Sequence, residues 1–424
     1  MTASIERIRA AYSRFLEPGR ILLSGHSHQA WPDVARAAQL EVFDDAARYV
    51  DDKWERAVFP LVEEVGRGIL ARMGCPEGDA IAFAESTHAL LVRLLSAFDR
   101  KQLTVVTTTG EFHSLHRQLR RYAEDGLDVA WVAATPRASL AARLIEAVET
   151  RAGEARAVET RAVETRAGEA RATPLLVAFS AVLFEDAWVQ CEIPEILAAC
   201  KRVGAIPVVD AYHAFNAVPL AWGPAVDTTF IVGGGYKYAG FGNALCWLRI
   251  PPGCSLRPAD TGWFADFASL AEPRDNPSAM SRPVGYAGGS LRFAGATFEA
   301  SAFYRARAVL RHWEELGLGV AELRAISVRQ TRHLIDGMRK RGLLSPPGGE
   351  ASGAPFELAS SDDDARRGGF VSLRHRDAGL LSSRLKERGV LTDSRGPLLR
   401  LGPAPYVSDD ELERGLDVLA DLVR

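Results

Sequence analysis

The stretch IVGGGYKYAGFG, residues 231–242, places a lysine between two tyrosines, directly after an apolar run and three consecutive glycines. Lysine is usually a solvated surface residue, whereas an apolar strand and aromatic neighbours favour burial. One interpretation is purely structural: Gly233–Gly235 make a turn, and Lys237 is a charge on the loop beyond it. The other is a functional amine at the end of a buried strand. The segments on either side decide between the two.

Short runs rich in β-branched and aliphatic residues recur along the chain and predict buried strands. They lie at 103–109, 127–134, 174–183, 205–211, 227–234 and 244–250. Amphipathic segments such as 113–126 and 191–204 separate several of these runs and predict helices. This alternation predicts an α/β fold of three layers, in which helices cover both faces of a mostly parallel sheet.

The pattern changes towards the carboxy terminus. A long helical segment at 300–318 precedes further helices and the strand-like run FVSLRH at 370–375. We therefore expect a large domain over 50–295 and a smaller α/β domain over 296–424. Residues 1–49 are expected to form an arm that packs beside the carboxy-terminal domain.

A low-complexity segment interrupts the large domain at 147–171, where the units AVETR and AGEAR repeat. Its glutamates and arginines are spaced to pair along a helix, and it contains no large apolar residue. These features predict a solvated insertion that is helix-prone or disordered. A partner-binding helix is the functional alternative, although valine and alanine offer little surface for binding. The repeat unit is far shorter than the roughly 20 to 50 residues of solenoid repeats.

Composition excludes several classes of protein. The chain has 424 residues, of which 47% are hydrophobic and 25% charged, with a formal net charge of -3. Those values describe a globular protein without the basic field that nucleic acid or an anionic membrane surface requires. The five cysteines form no C-x-x-C pair, so neither a disulfide framework nor a zinc site is predicted, and a reducing cytoplasm fits best. The first residues lack a secretory signal, and no run approaches the roughly 20 apolar residues of a membrane span.

Three candidate groups fall where predicted strands end, the edge at which ligands collect in such sheets. Asp210 closes the strand IPVVD, where a buried carboxylate requires a cationic or donating partner unless it only caps a turn. In the stretch ESTHALLVRLLSAF (85–98), Ser86 and Thr87 precede an apolar helix and could seat a phosphate or simply cap that helix. Lys237 is the third group.

Together these groups meet the requirements of pyridoxal phosphate. That cofactor needs a lysine for an imine, an acid to keep its ring nitrogen protonated, and an anion site for its phosphate. Asp210 can serve the ring nitrogen, so that charge formed at a substrate α-carbon delocalises into the ring. Lys237, flanked by aromatic rings and close to a cationic ring, would bind its proton less tightly and act as nucleophile and base.

The order of motifs resembles that of the fold type I pyridoxal phosphate enzymes, in the aminotransferase class V group, and most closely the kynureninase family. The resemblance covers nearly the whole chain outside the repeat. The motifs that carry it are ILLSGHSHQAWP (21–32), VVDAYHAFNAVPL (208–220), GGGYKYAGFG (233–242), TGWFADF (261–267) and LLRLGPAPYVSDDEL (398–412). Each motif alone has little specificity, but five in the family order are a strong signal.

The resemblance implies a role for each matching cofactor-site residue. Lys237 would hold the cofactor as an imine, Asp210 would pair with the ring nitrogen, and both would be catalytic together with Tyr236, which could relay a proton. The remaining cofactor contacts implied are His213 near the phenolic oxygen, Phe112 stacked on the ring, Ser86, Thr87 and Tyr236 at the phosphate, and Thr297 reaching the phosphate from a neighbouring subunit of a homodimer.

For the substrate, the resemblance implies that Arg400 clamps the α-carboxylate, a task suited to its planar guanidinium. Trp263, His26 and His28 would belong to the same substrate site. Purely structural alternatives remain for Phe112 as a core residue, His213 as a buried histidine and Arg400 as an ion-pair partner.

The reaction implied is hydrolytic cleavage of the Cβ–Cγ bond of kynurenine, or of a related amino acid, to an anthranilate-type product and alanine. Departures from the family pattern fall around the substrate: Leu115 stands where an acidic residue is expected, 239–244 differs from the usual Leu-Asn-Gly-Gly-Pro-Gly, and His26 and His28 replace Asn and Leu. A class V aminotransferase, epimerase or β-lyase stays open. A cysteine desulfurase is disfavoured because no cysteine follows Cys254.

Overall fold

The computed structural model describes residues 3–164, 173–271, 281–345 and 353–424, with the backbone alone for 156–164. The strands in these ranges are β1 (Ile21–Leu22), β2 (Ala80–Ala84), β3 (Thr104–Thr108), β4 (Asp128–Val132), β5 (Leu175–Ser180), β6 (Ile206–Asp210), β7 (Phe230–Gly234), β8 (Cys246–Ile250), β9 (Glu357–Leu358), β10 (Val371–Arg374), β11 (Val390–Leu391), β12 (Asp393–Arg395) and β13 (Leu398–Leu401). The α-helices are α1 (Ile5–Ala10), α2 (Val34–Tyr49), α3 (Phe59–Arg72), α4 (Thr87–Leu95), α5 (His113–Glu124), α6 (Leu140–Glu164), α7 (Ile193–Val203), α8 (Ser301–Glu315), α9 (Val320–Lys340), α10 (Ala378–Glu387) and α11 (Asp409–Val423). Among the described residues, no helix combines the length and apolar character that crossing a membrane requires.

The large sheet has the strand order β2-β8-β7-β6-β5-β3-β4 within the described residues. β8 runs antiparallel to both of its neighbours, β2 and β7, and the other neighbouring pairs are parallel. The predicted α/β fold with a mostly parallel sheet is confirmed. Strand β2 was not predicted, because its sequence AIAFA is mostly alanine and has little β-propensity.

Helices cover the large sheet on both faces, which gives the three predicted layers. Adjacent residues of β6 point to opposite faces and pack in different cores. Val208 lies in one core with Leu90 of α4 and Leu119 of α5, and Val209 lies in the other with Leu197 of α7. Because both faces are buried, the strands read as continuous apolar runs.

The carboxy-terminal part contains a smaller antiparallel sheet with the strand order β12-β13-β10-β9. Strand β1, near the amino terminus, pairs in parallel with β11, so that Ile21 lies opposite Val390. A hydrogen bond of 2.8 Å from the Tyr304 hydroxyl to Asp45 joins α8 to α2. The amino-terminal segment therefore contacts the carboxy-terminal elements, which places its residues close to strand β13 and Arg400.

Helix α6, which packs against the large sheet, continues into the low-complexity segment as far as Glu164. Val148 and Ala152, at the start of that segment, are buried in the core. This end of the repeat packs against the protein and is not solvated as expected, since even valine and alanine bury apolar area when they share one helix face. The later repeat units at 165–171 lie outside the described residues.

Candidate active site

Lys237 lies directly beyond the end of β7 and is buried, with only 5% of its surface exposed. Its Nζ atom is 2.9 Å from Nε2 of His213. Burial lowers the pKa of Lys237 to about 7; nearby Asp210 opposes this shift and Arg400 adds to it. A buried amine with this pKa is partly neutral near pH 7, which is the form that can attack a carbonyl carbon.

Asp210 is the last residue of β6, and its Oδ1 atom accepts a hydrogen bond of 2.8 Å from the Tyr212 backbone N–H. Burial raises the pKa of this carboxyl group, while the Tyr212 N–H and Lys237 oppose the increase. Since β6 and β7 are parallel neighbours, their carboxyl ends meet at one edge of the sheet. That edge brings Asp210 and Lys237 to the same cavity.

This cavity has a volume of about 140 Å³ and holds most of the predicted cofactor contacts. The predicted residues among those that line it are Ser86, Thr87, Phe112, Asp210, His213, Tyr236 and Lys237. Ser86 also caps helix α4, because its side chain accepts a hydrogen bond of 3.1 Å from the Ala89 N–H. The amino-terminal end of a nine-residue helix thus opens into the cavity, a position that favours an anionic group.

Aromatic rings surround the lysine amine. Nζ of Lys237 lies 4.4 Å from the ring centroid of Tyr212, 5.2 Å from that of Phe112 and 5.6 Å from that of Tyr236. His28, which is exposed, stacks on Tyr236 with ring centroids 5.0 Å apart. The cavity therefore offers flat apolar surfaces for a planar ring close to the amine.

The glycines before Lys237 allow this close packing of rings. Gly233 and Gly234 are the last two residues of β7, and neither has a left-handed backbone. A Cβ atom on Gly233 would lie 2.7 Å from Trp247, and one on Gly234 would lie 2.4 Å from the Tyr212 ring. The turn interpretation of this run is therefore wrong for these two residues. Their missing side chains make room for the rings of Trp247 and Tyr212, and Tyr212 is nearer to the amine than Phe112 or Tyr236.

Arg400, on β13, is buried and engaged in an ion pair with Asp393. Its Nε and Nη2 atoms donate to the two carboxylate oxygens at 2.6 and 2.7 Å, and Nη1 donates to the Phe184 carbonyl. Arginine has five N–H donors, so these contacts within the described chain leave two of them. Arg400 does not line the 140 Å³ cavity, although its charge lowers the pKa of Lys237.

His26 is fully buried beside Asp393, the ion-pair partner of Arg400. Its ring stacks on Phe370, with centroids 4.5 Å apart, and Nε2 is 3.5 Å from Asp393. Burial lowers its pKa to about 4, against the opposing effect of Asp393. The structure thus places His26 beside Asp393 and outside the residues that line the cavity.

Trp263 and Thr297 lie apart from the other predicted residues. The indole N–H of Trp263 donates a 3.2 Å hydrogen bond to the Thr297 hydroxyl. Thr297 lines a separate cavity of about 220 Å³, and Glu85 is common to the linings of both cavities. Both side chains are exposed. Within one chain, Thr297 is therefore not among the residues around Lys237.

Two acidic residues that the sequence did not single out adjoin the site. Asp393 joins Arg400 to His26, and burial would raise its pKa, yet those two contacts lower it. Glu111 precedes Phe112 and is buried, with hydrogen bonds to two hydroxyl groups. Glu111 could have been singled out in the sequence, because it is an acidic residue directly before Phe112, a predicted aromatic contact of the cofactor. Nothing local in the sequence pairs Asp393 with His26.

These residues fit pyridoxal phosphate in their chemistry. A buried amine, a carboxyl group at the neighbouring strand end, a helix amino terminus and an aromatic surface all face one cavity. The charges also suit the cofactor, because a cationic ring nitrogen would stabilise the Asp210 carboxylate and lower its raised pKa. Leu115, where an acid was expected, is buried in the apolar core that contains α4 and α5.

Comparison with protein sequences gives similarity to kynureninases. The profile named kynureninase C-terminal domain matches residues 323–419, a range that contains both Asp393 and Arg400. Kynureninase from Pseudomonas fluorescens is 24% identical, over 96% of this chain and 90% of its own length. Kynureninase from Geobacillus thermodenitrificans is 23% identical, over 97% and 90%, and that from Salinispora tropica is 30% identical, over 55% and 52%.

Comparison with solved structures gives similarity of fold. A mutant of C-DES with glycine covalently linked to its PLP cofactor has a TM-score of 0.76 at 16% identity, covering 97% of this chain and 99% of its own. The apo cysteine desulfurase from Thermococcus onnurineus NA1 has a TM-score of 0.73 at 16% identity, covering 100% and 98%. These matches extend over both the large sheet and the carboxy-terminal sheet.

Proposed function

We propose that this chain, a kynureninase-like member of the fold type I pyridoxal phosphate-dependent family, hydrolyses the Cβ–Cγ bond of kynurenine or a closely related amino acid. Water and the substrate would give an anthranilate-type product and alanine. One observation carries the proposal: the buried Lys237 amine shares a cavity with Asp210, in a chain similar to kynureninases over nearly its whole length.

Pyridoxal phosphate, when bound, supplies an electron sink for negative charge that develops on the substrate's α-carbon. Lys237 would hold the cofactor and, once displaced by the substrate, move a proton at Nζ. Its pKa of about 7 suits both tasks, because an efficient base has a pKa near the working pH. Asp210 would stay anionic beside the ring nitrogen, and the hydroxyl of Tyr236, which also lines the cavity, would donate or accept a proton.

Arg400 would orient the substrate through its carboxylate. Asp393 occupies the Nε and Nη2 edge of the guanidinium and fixes its plane, so two N–H donors are left for the ligand. His213 lies beside the amine and would meet the phenolic oxygen of the cofactor. His28 is exposed and stacks on Tyr236, and it would contact the aromatic part of the substrate. Trp263, which is hydrogen-bonded to Thr297, would reach the substrate together with that residue from the neighbouring subunit. His26 would act through Asp393, the partner of Arg400.

The exposed position of Thr297 supports a homodimer in which Thr297 of one subunit reaches the phosphate site of the other. Glu85 lines both cavities, so the Thr297 cavity adjoins the Lys237 cavity, which supports a shared site near a subunit interface. We also propose a reducing, cytoplasmic location, because all five cysteines are free.

The test is turnover of kynurenine by purified protein with pyridoxal phosphate. We expect anthranilate, followed by its fluorescence, together with an equal amount of alanine. The wild-type protein should show the visible absorbance band of the lysine-bound cofactor, and Lys237→Ala should lose it. Protein that binds the cofactor but releases no anthranilate from kynurenine or its 3-hydroxy form would contradict the assigned reaction.

A second candidate is a class V β-lyase, favoured by the fold similarity to a cystine C–S lyase, C-DES, seen in complex with its product cysteine persulfide (TM-score 0.74, 16% identity, 95% of this chain and 98% of the other covered). An aminotransferase or epimerase remains a further alternative. A panel of amino acids separates these reactions. Pyruvate or a persulfide indicates a β-lyase, a pyridoxamine form of the cofactor indicates transamination, and inversion without cleavage indicates an epimerase.

A further inference from the structure

Glu111 is a buried carboxyl group whose only hydrogen-bonding partners in the described chain are neutral. Its Oε1 and Oε2 atoms accept hydrogen bonds of 2.5 Å from the hydroxyl groups of Thr108 and Ser180. No ion pair joins it to a lysine, arginine or histidine within the described ranges. A buried carboxyl group without a cation is costly when ionised, so its presence at this position needs a physical reason.

The position of Glu111 connects it to Asp210. Thr108 ends β3, Ser180 ends β5 and Asp210 ends β6, and these strands are consecutive neighbours in the sheet. Ser180 and Asp210 are register partners in parallel strands, so their side chains leave the sheet on the same face. The Ser180 hydroxyl that bonds Glu111 therefore lies next to the Asp210 carboxyl group.

The charge on Asp210 acts on the carboxyl group of Glu111. Burial raises the pKa of Glu111 to about 7, hydrogen bonds from Ser180 and Thr108 oppose this shift, and Asp210 increases it. Two acids that disfavour each other's ionisation favour a cation placed against either of them. The cation available in the proposed function is the protonated ring nitrogen of pyridoxal phosphate beside Asp210.

We propose that Glu111 is a positioning residue that acts through Asp210 to favour the cofactor with a protonated ring nitrogen. The inference rests on the proposed function, because it requires pyridoxal phosphate in the Lys237 cavity. Glu111 does not line that cavity, so it acts by charge and through the Ser180 hydroxyl. A purely structural role would be served by any residue that fills the same space and accepts the same hydrogen bonds.

Glu111→Gln separates the two roles, since glutamine keeps the shape and removes the charge; its amide oxygen can accept from one hydroxyl group and its NH2 group can donate to the other. The experiment is a titration of apoprotein with two aldehydes, followed by absorbance. One is pyridoxal phosphate, and the other is its deaza analogue, in which CH replaces the ring nitrogen. We expect Glu111→Gln to weaken the binding of pyridoxal phosphate roughly tenfold at pH 8, where the wild-type glutamate is mostly ionised. The affinity for the analogue should not change.

Two further variants keep the result interpretable. Ser180→Ala removes one hydroxyl that stabilises charged Glu111, and we expect a smaller loss of the preference for pyridoxal phosphate over the analogue. In an Asp210→Asn background, Glu111→Gln should change the affinity for pyridoxal phosphate by less than about twofold, because interacting residues are not additive.

Equal losses for both aldehydes would show a structural role and overturn the inference, and so would an unchanged affinity for both. These outcomes are distinguishable from failure of the proposed function. In that case wild-type protein would bind neither aldehyde covalently, and Lys237→Ala would make no difference. A preference for pyridoxal phosphate over the analogue that is present in wild-type protein and reduced in Glu111→Gln supports the inference.

Discussion

The Nζ atom of Lys237 lies 2.9 Å from Nε2 of His213, and both groups are buried. Burial lowers the pKa of the lysine to about 7 and that of the histidine well below its usual value, and the charge on Lys237 lowers the histidine pKa further. Above pH 7, both groups are therefore mainly neutral. The amine then has a free electron pair, and the imidazole can accept its hydrogen bond.

The first prediction is a pH dependence for cofactor attachment. Because a lowered lysine pKa means that the free amine is populated above the folded-state pKa, the attachment rate should rise roughly tenfold per pH unit below about pH 7 and then level off. Rapid mixing of apoprotein with pyridoxal phosphate, followed by visible absorbance, measures this rate. Lys237→Ala is the control and should give no band. A rate that continues to rise towards pH 10 would mean that burial does not shift this amine.

The second prediction concerns the buried pair of Arg400 and Asp393. Asp393→Ala would leave the Arg400 guanidinium, which is 3% exposed, without its anion, and such losses cost roughly 3 to 5 kcal/mol of unfolding free energy. Asp393→Asn keeps one acceptor and should cost less. Urea denaturation of the three proteins measures the difference. The Asp393→Asn substitution should also raise KM for the substrate more than it lowers kcat, because the Arg400 guanidinium loses its fixed plane.

The matched control is Asp409→Ala, which removes a pair with Arg329 in which both side chains are about half exposed (51% and 56%). An exposed pair contributes little, so this variant should unfold almost as wild type does. Similar unfolding free energies for Asp393→Ala and Asp409→Ala would show that the buried pair does not stabilise the carboxy-terminal sheet.

The fold and the centre of the site could be predicted because they depend on local patterns. Asp210 and Lys237 each follow an apolar strand, and parallel neighbours bring such positions together. The environment of Arg400 could not be predicted in the same way, since its partner Asp393 is fixed by the pairing of β12 with β13. The turn interpretation was wrong for Gly233 and Gly234 for a related reason: the rings that exclude a side chain there come from Trp247 and Tyr212, and no local pattern indicates that approach.

The third prediction follows from those glycines. An alanine at Gly234 would place its Cβ atom 2.4 Å from the Tyr212 ring, so the ring, which lies against the Lys237 amine, or the backbone must shift. We expect Gly234→Ala to lose about 1 to 3 kcal/mol of unfolding free energy, as overpacked sites do, and to bind pyridoxal phosphate more weakly. Gly288→Ala is the control, because no atom lies within 4 Å of its added Cβ and its φ is -74°. Equal behaviour of the two variants would contradict the packing argument.

The fourth prediction tests whether two subunits share each site. Thr297 is exposed and lines a different cavity from Lys237 in the same chain. If the partner subunit supplies this hydroxyl, Thr297→Ala and Lys237→Ala should each lower kynurenine cleavage strongly when assayed alone. Unfolding and refolding the two variants together yields mixed dimers. In those dimers one site combines an intact Lys237 with an intact Thr297, so activity should recover.

Recovery should follow the fraction of mixed dimers, which is about half when subunits of equal amount pair at random, with one restored site in each. The recovered activity should therefore approach one quarter of the wild-type value per subunit, on the order of 25%. A mixture of Lys237→Ala with Asp210→Ala is the control, because both residues line the cavity of one chain and no mixed dimer can contain a complete site. If the Thr297 mixture behaves like that control, the hydroxyl acts within its own subunit, and the exposed pair of Trp263 and Thr297 has another role.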